Sequence, residues 1–512
     1  MASDQVLITT RHTLTCATEA TVASLESPFN LGPMDYSVPP KVSIEGVFIY
    51  RKPTSTPTNH FLVSDRLMEA VSHLLDYYPH LTGRLQLHPT THAAQIGSLG
   101  CGVDFWQARC TTTLRKIATS SLSGRIITPK LPGYGAALLP IFHATMGSYS
   151  HNAILAIQHT RFACGGVSLG IRIHHQVCDA QGFFQVVRDL AEIYRQLRDS
   201  CPPSLISPPE IRSHFRTHGE LSPSAAREAL NFKPSCFYLA EEDEDNIEIQ
   251  TAIPNDAPIS ARVLRFSSED LAEFKRAATN PDHTSGTWVS TFEALSAFLF
   301  QRVYKAKVQV IEGLGISPDD DRCEDLRQFF TLMDMRDRDR LNLPPRYLAN
   351  AVHSVSLYPS HADLIEGPLW YIAETIHSAI RSVDPAQVKQ EFEWVAAQTD
   401  PSRVKLLDDF QHGGLAIIQW TRDHTHLGFD FEVRDSGRPV VPSLVTPPLS
   451  GSYLTNGLAM VIATQEKSAS GRGMTGTQDE WDLPRAVYIN MVLNDEIWSF
   501  LERDIDFLKY IC

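Results

Sequence analysis

One run of the chain constrains its fold more than any other: two strand-like segments followed by a helix, between residues 152 and 198. NAILAIQHTRFA and GVSLGIRIHH are apolar and strand-like, and the Gly165-Gly166 pair between them supplies a turn that folds one back on the other. After Asp179 the apolar period changes. Phe183, Val187, Leu190, Tyr194 and Leu197 recur at helical spacing, which predicts an amphipathic helix over Ala180–Arg198. Elsewhere strand-like and helix-like segments keep alternating, an α/β pattern. VSIEGVFIYRK (Val42–Lys52) reads as a strand. Ser64–Leu81 reads as a helix with Ser64 as N-cap, stopped by Pro79.

A Pro- and Ser-rich stretch begins at Cys201 and runs to the acidic segment EEDEDNIE. It reads as a crossover between two domains, which places the division at 1–205, 206–255 and 256–512. A second alternating region begins near Ala261. SSEDLAEFKRAA is predicted helical with a capping box from Ser267 to Asp270. Trp288–Ala306 is a second helix and NDEIWSFLERDIDFLKYI the last one.

The 512 residues carry a net charge of −14 with 43% hydrophobic and 20% charged residues. That balance predicts a globular protein and argues against nucleic-acid binding, which asks for a basic face. No apolar run reaches the ~18 residues needed to span a bilayer, so no membrane partner is expected. The first residues lack the pattern of a secretory signal. The nine cysteines are scattered without a CxxC pair, so reduced thiols, a cytoplasmic location and no metal are expected.

Two glycine motifs are weighed on their context. GRGMTG (Gly471–Gly476) matches GxGxxG, but it sits in the polar stretch SASGRGMTGTQ rather than between a strand and a helix, and reads as a flexible insertion. GVSLG (Gly166–Gly170) matches the nucleophile elbow of serine hydrolases. That elbow needs a sharp turn into a helix, whereas Ile171, Arg172 and Ile173 continue a strand. A strand rising ~3.3 Å per residue puts Ser168 about 20 Å from His174.

Side chains alternate faces along a strand. Val167, Leu169, Ile171, Ile173 and His175 share one face; Ser168, Gly170, Arg172 and His174 share the other. His175 is therefore expected to end an apolar row, partly buried and neutral, and His174 to sit on the more polar side. A neutral ring can accept a proton, and equally can be a core histidine satisfied by hydrogen bonds.

HHxxxDxxG at the end of a strand and the start of a helix resembles the signature of BAHD-type CoA-dependent acyltransferases, shared with condensation domains of peptide synthetases. Four further segments resemble that family in the same order: SPFNLGPMDY (Ser27–Tyr36), YYPHLTGRL (Tyr77–Leu85), STFEALSAF (Ser290–Phe298) and MDMRDRDRLNLPPRYLANAV (Met333–Val352). The trichothecene-type acetyltransferases are the nearer branch. The family's DFGWG motif is represented by Asp430-Phe431, followed by EVRDSGRP, and the tryptophan that precedes it by Trp420. Where the family often has a Ser or Thr before that tryptophan to help hold the oxyanion, the chain has Ile418 and Gln419; Gln419 or a backbone N–H would take that part.

The resemblance implies two chloramphenicol-acetyltransferase-like domains, each a mixed β-sheet flanked by helices, with an active-site channel at their interface. It implies acyl transfer, most simply of acetyl, from acyl-CoA (acetyl-CoA) to a hydroxyl of a small-molecule, secondary-metabolite acceptor. His175 would be the general base and Asp179 a site-shaping residue paired with Arg336, with Arg338 second. His174, Gly182, Arg336, Asn350, Trp420 and Asp430 would support the site. Ser290, Thr291, Arg403 and Lys405 are the candidates for CoA. No permanent cofactor and a monomer are expected. The other readings are an N-acyltransferase with an amine acceptor, a condensation-like domain, a serine hydrolase, and an inactive binding member.

Overall fold

The computed structural model describes residues 5–114, 126–127, 131–217, 219–241, 251–254, 257–282, 284, 287–408, 410–420, 428–465 and 485–510. Most of the acidic run and all of GRGMTG lie outside the described residues.

Two mixed sheets organise the chain, each with its own apolar core. In the first, β1 (Val6–Leu14), β2 (Ser43–Tyr50), β3 (Val103–Cys110), β4 (Leu155–Phe162) and β5 (Val167–His174) are ordered β1-β3-β4-β5-β2, with the short strand Leu444–Thr446 on the outer edge of β2. β4 and β5 are antiparallel neighbours joined by the tight Gly165-Gly166 connection, with Gly165 at φ 83°. In the second sheet, β6 (Ile259–Phe266), β7 (Phe329–Asp334), β8 (Val352–Leu357), β9 (Leu415–Gln419), β10 (Leu458–Gln465) and β11 (Arg485–Asn494) are ordered β8-β7-β9-β10-β11-β6. Ile126–Ile127 pairs antiparallel with Val263 and Leu264 of β6. Each sheet thus takes an edge strand from the other half of the sequence.

α1 (Ser64–Leu75) and α2 (Ala180–Arg198) lie on the first sheet because each carries one apolar stripe. Leu67, Val71 and Leu74 of α1 meet Phe183, Val187 and Leu190 of α2 over Phe48, Leu169 and Ile171. In the second domain α3 (Thr291–Gly313) buries Leu295, Leu299 and Val303 against Phe329, Ile417 and Ile489. Its start is fixed by a capping box between Ser290 and Glu293, and the helix runs seven residues past the predicted Ala306.

Other boundaries differ for local reasons. α1 ends at Leu75, well before Pro79, which opens a separate 3-10 turn at Pro79–Thr82. Ser64 is the first helical residue, and Val63 is the N-cap. The predicted last helix breaks in two, Asp495–Leu501 and Ile505–Lys509, because the Asp504 side chain accepts from the backbone N–H groups of Asp506 and Phe507 and starts a new turn. The capping box of Ser267 and Asp270 is present. Within the crossover, Ser222 caps a helix over Pro223–Leu230, and Phe237–Leu239 pairs with Val404–Leu406.

Candidate active site

The histidine pair sits where β5 ends. The polarity prediction does not hold: β5 is buried along its whole length on both faces, and His175 lies one residue beyond its end. The face with Ser168, Gly170, Arg172 and His174 is covered by the segment around Leu138, Leu139 and Phe142. A Cβ on Gly170 would lie 1.9 Å from the Leu138 carbonyl oxygen, so only glycine admits that covering backbone. Arg172 is 1% exposed and lies under the Phe142 ring at 4.7 Å.

His174 is accordingly 2% exposed and more deeply buried than His175. Its Nε2–H donates to the Pro40 carbonyl (3.0 Å), and its Nδ1 accepts from the Gln176 N–H (3.3 Å). Both nitrogens are spent on backbone. Burial lowers its pKa to about 3, and Tyr149 and Phe142 meet its ring edge to face.

His175 is different. Its backbone is clamped, the N–H donating to the Val42 carbonyl (3.1 Å) and the carbonyl accepting from Asn350 Nδ2 (2.9 Å). Its ring Nδ1 is buried and makes no well-aligned hydrogen bond among the described residues, while the Asn350 side chain and the Cys178 backbone lie close enough to act on the ring. Burial lowers the ring's pKa; hydrogen bonding to its own backbone, the Asp179 charge, the Asn350 side chain and the Cys178 backbone oppose that only in part, so the neutral imidazole is the resting form near pH 7.

Asp179 is the N-cap of α2. Oδ1 accepts from the Gly182 N–H (3.1 Å) and from Arg336 Nη2 (3.0 Å); Oδ2 accepts from the Ala351 N–H (2.9 Å) and lies 2.9 Å from Arg336 Nη1. Arg336, not Arg338, is the partner. It also binds Asp334 and the Tyr347 and Ala349 carbonyls. Burial disfavours its charge, but Asp179 and Asp334 outweigh that and raise its pKa. Gly182 is required by packing: a Cβ there would meet the Leu348 carbonyl oxygen at 2.3 Å. The HHxxxDxxG spacing therefore joins the first sheet's β5 and α2 to the 334–351 segment between β7 and β8 of the second.

One residue not singled out in the sequence completes this joint. Asp35, inside SPFNLGPMDY, accepts from both the backbone N–H and the Nδ2 of Asn350 (3.1 and 2.7 Å) and from the Gly32 N–H (2.7 Å). Burial pushes its carboxyl up to about 7 against the pull of those bonds. The chain of contacts is Asp35 to Asn350 to the His175 carbonyl. Its signal in the sequence was the quoted segment itself, which says nothing of which side chain reaches Asn350.

The remaining predicted residues have other partners. Trp420 is buried, edge-on to Phe184 at 5.3 Å. Asp430 pairs with Arg195 (3.3 Å) between the buried Phe429 and Phe431, and EVRDSGRP forms a hairpin in which Glu432–Val433 pairs with Pro439–Val440. Ser290 caps α3, and Thr291 is its first residue. Arg403 Nε donates to the Ala240 carbonyl (2.9 Å), and Lys405 pairs with Tyr238 in the crossover ladder. Ser168 is fully buried inside β5, its Oγ without a partner among the described residues. No elbow turns there, which removes the serine-hydrolase reading. No helix among the described residues is long and apolar enough to cross a membrane.

Comparison with known proteins agrees with this arrangement. A family model described as "Transferase family" matches residues 5–461. The chain is 23% identical over 391 residues to a shikimate O-hydroxycinnamoyltransferase of Nicotiana tabacum, covering 76% of this chain and 80% of that one. It is 26% identical over 371 residues to the O-acetyltransferase astG of Aspergillus oryzae, covering 64% and 70%. Among solved structures, F. graminearum TRI101 in complex with coenzyme A and deoxynivalenol superposes with a TM-score of 0.63 at 15% identity, over 95% of this chain and 99% of that chain. The two-domain α/β fold is thus the one these proteins share.

Proposed function

The chain belongs to the BAHD-type Transferase family, whose members are acyltransferases, and on that premise we propose that it moves an acetyl group from acetyl-CoA to a hydroxyl of a small-molecule acceptor, with His175 as general base. The observation that carries the reading is the contrast within the pair. His174 has both ring nitrogens hydrogen-bonded to backbone, whereas Nδ1 of His175 makes no well-aligned hydrogen bond among the described residues, on a ring whose backbone is clamped. In this reading Nδ1 stays buried and Nε2 is the nitrogen assigned to the substrate.

In the proposed step Nε2 takes the proton of the acceptor hydroxyl as that oxygen attacks the thioester carbonyl carbon. The tetrahedral intermediate collapses by breaking the carbon–sulfur bond, and the proton held by His175 passes to the departing thiolate. The products are the ester and free CoA, and the ring returns to its neutral form. A positioned base contributes about 10²–10⁴ in rate, and holding both substrates together adds the proximity term. Asp179 and Arg336 do not touch the reacting atoms in this scheme. They fix the end of β5 and the start of α2, and Asn350 fixes the His175 backbone.

The test is to incubate the protein with acetyl-CoA and a panel of alcohols and amines, following thiol release and product mass. Ester formation with at least one alcohol that needs His175 supports the proposal. Amide formation alone assigns the acceptor class to amines. Thiol release without any acylated product, or equal transfer by His175→Ala, overturns it.

A further inference from the structure

Outside the histidine site, three chemistry-bearing side chains from distant parts of the chain meet. Cys236 precedes the crossover strand Phe237–Leu239, His353 lies on β8, and Glu391 lies on α4 (Pro385–Ala397). All three are buried, Glu391 completely. Cys236 Sγ is 3.2 Å from Glu391 Oε2 and 3.9 Å from His353 Nδ1, and His353 Nδ1 is 3.5 Å from Glu391 Oε2.

These separations have a specific meaning. Zinc binds thiolate sulfur at about 2.3 Å and imidazole nitrogen and carboxylate oxygen at about 2.0–2.2 Å. At tetrahedral angles those bond lengths place the three ligand atoms about 3.3–3.6 Å apart. The observed triangle departs from that one by only a few tenths of an ångström, so side-chain adjustment alone would close it around an ion. The fourth position would be left to water. The carboxylate is also oriented as a ligand would be. Its other oxygen, Oε1, accepts from the backbone N–H and Oγ of Ser235 (2.8 and 2.7 Å), which aims Oε2 at the sulfur and the imidazole. A carboxylate taken wholly out of water asks for a compensating positive charge, and among the described residues its one ion pair is with His353.

We propose that Cys236, His353 and Glu391 form a binding site for a zinc-class divalent ion that ties the crossover to β8 and α4. The sequence does not announce it because no two of the ligands lie within a motif's spacing; only the folded chain brings them together. Binding would displace the thiol proton and leave a Cys–His–carboxylate ligand set of one thiolate, one neutral imidazole and one carboxylate. The site is independent of the acyl-transfer reading.

The test uses the full-length reduced protein, freed of metal with a chelator and then titrated with Co²⁺ as a spectroscopic stand-in for Zn²⁺. One equivalent is expected to raise a thiolate-to-cobalt charge-transfer band and the visible bands of a tetrahedral ion. The charge-transfer band should vanish in Cys236→Ser and persist in Cys164→Ser, a control at an exposed thiol. Zn²⁺ should raise the melting temperature of the wild type and leave His353→Gln unmoved. Should Cys236→Ser fail to fold, the wild-type titration decides alone. Absence of a charge-transfer band in the wild type overturns the proposal, as does its survival in a folded Cys236→Ser protein.

Discussion

At the scale of single residues, the site turns on how neighbours of like chemistry differ in what they touch. Ser168 has the sequence context of a nucleophile but not the surroundings: it sits mid-strand, buried, its hydroxyl without a hydrogen-bond partner among the described residues. Ser168→Ala is expected to keep acyl transfer within a few-fold of wild type, measured as initial rate of thiol release with the fold checked by circular dichroism. A loss of a hundredfold or more would return a nucleophilic role to that hydroxyl. His174 and His175 show where residue-level reading stops. Alternation assigned them to opposite faces, since it needs only the strand's period of two. It could not assign their polarity, because the cover over His174 comes from the segment near Leu138–Phe142, which is irregular and has no period to read. For the same reason Asp35 went unmarked: its partner Asn350 is far away in sequence, and nothing local links the two.

Among elements, β5, α2 and the 334–351 segment act as one joint. Gly182 sets how close α2 comes to the Leu348 backbone. Gly182→Ala puts a methyl against a carbonyl oxygen that cannot rotate away, and overpacking of this kind costs about 1–3 kcal/mol. Urea unfolding should show that loss, together with a larger fall in kcat than in acetyl-CoA binding as the end of β5 shifts. An alanine variant with unchanged midpoint and rate would mean the joint is looser than the contact implies. The helices were legible where they carry a stripe; Ala180–Arg198 was read to the residue. They were misread where a side chain overrides the stripe, as Asp504 does in splitting the last helix.

Taken as a whole, the described residues form two large apolar cores with smaller clusters beside them, and Asp179 sits in a polar seam where contacts from both sheets converge. It is 2% exposed and takes hydrogen bonds from Gly182, Arg336 and Ala351. Removing one partner of a buried pair costs about 3–5 kcal/mol, because the other charge stays buried. Asp179→Asn should therefore lower the melting temperature and the rate together, and the residual rate should still rise with pH and level off, with the rise moved to lower pH because the charge that holds the His175 pKa up is gone. A variant of wild-type stability that lost the rise with pH altogether would make Asp179 a participant in proton transfer. The two-sheet α/β organisation was readable from alternating segments and from motifs spread along the chain. The exchange of edge strands was not, since Leu444–Thr446 and Ile126–Ile127 are too short to stand out from loops.

The central claim is that the neutral His175 ring is the base, and kcat against pH at saturating acetyl-CoA tests it most directly, for wild type, His175→Ala and His174→Ala. Burial depresses the pKa of His175 below the ordinary histidine value of about 6.5. A base must be unprotonated to act, so the wild-type rate should rise with pH through a pKa below that value and then level off. His175→Ala should fall by about 10²–10⁴ and lose that rise. His174→Ala should lose less and retain it, its damage appearing as reduced stability. If His174→Ala abolishes transfer while His175→Ala keeps both rate and pH dependence, the assignment of the base is contradicted.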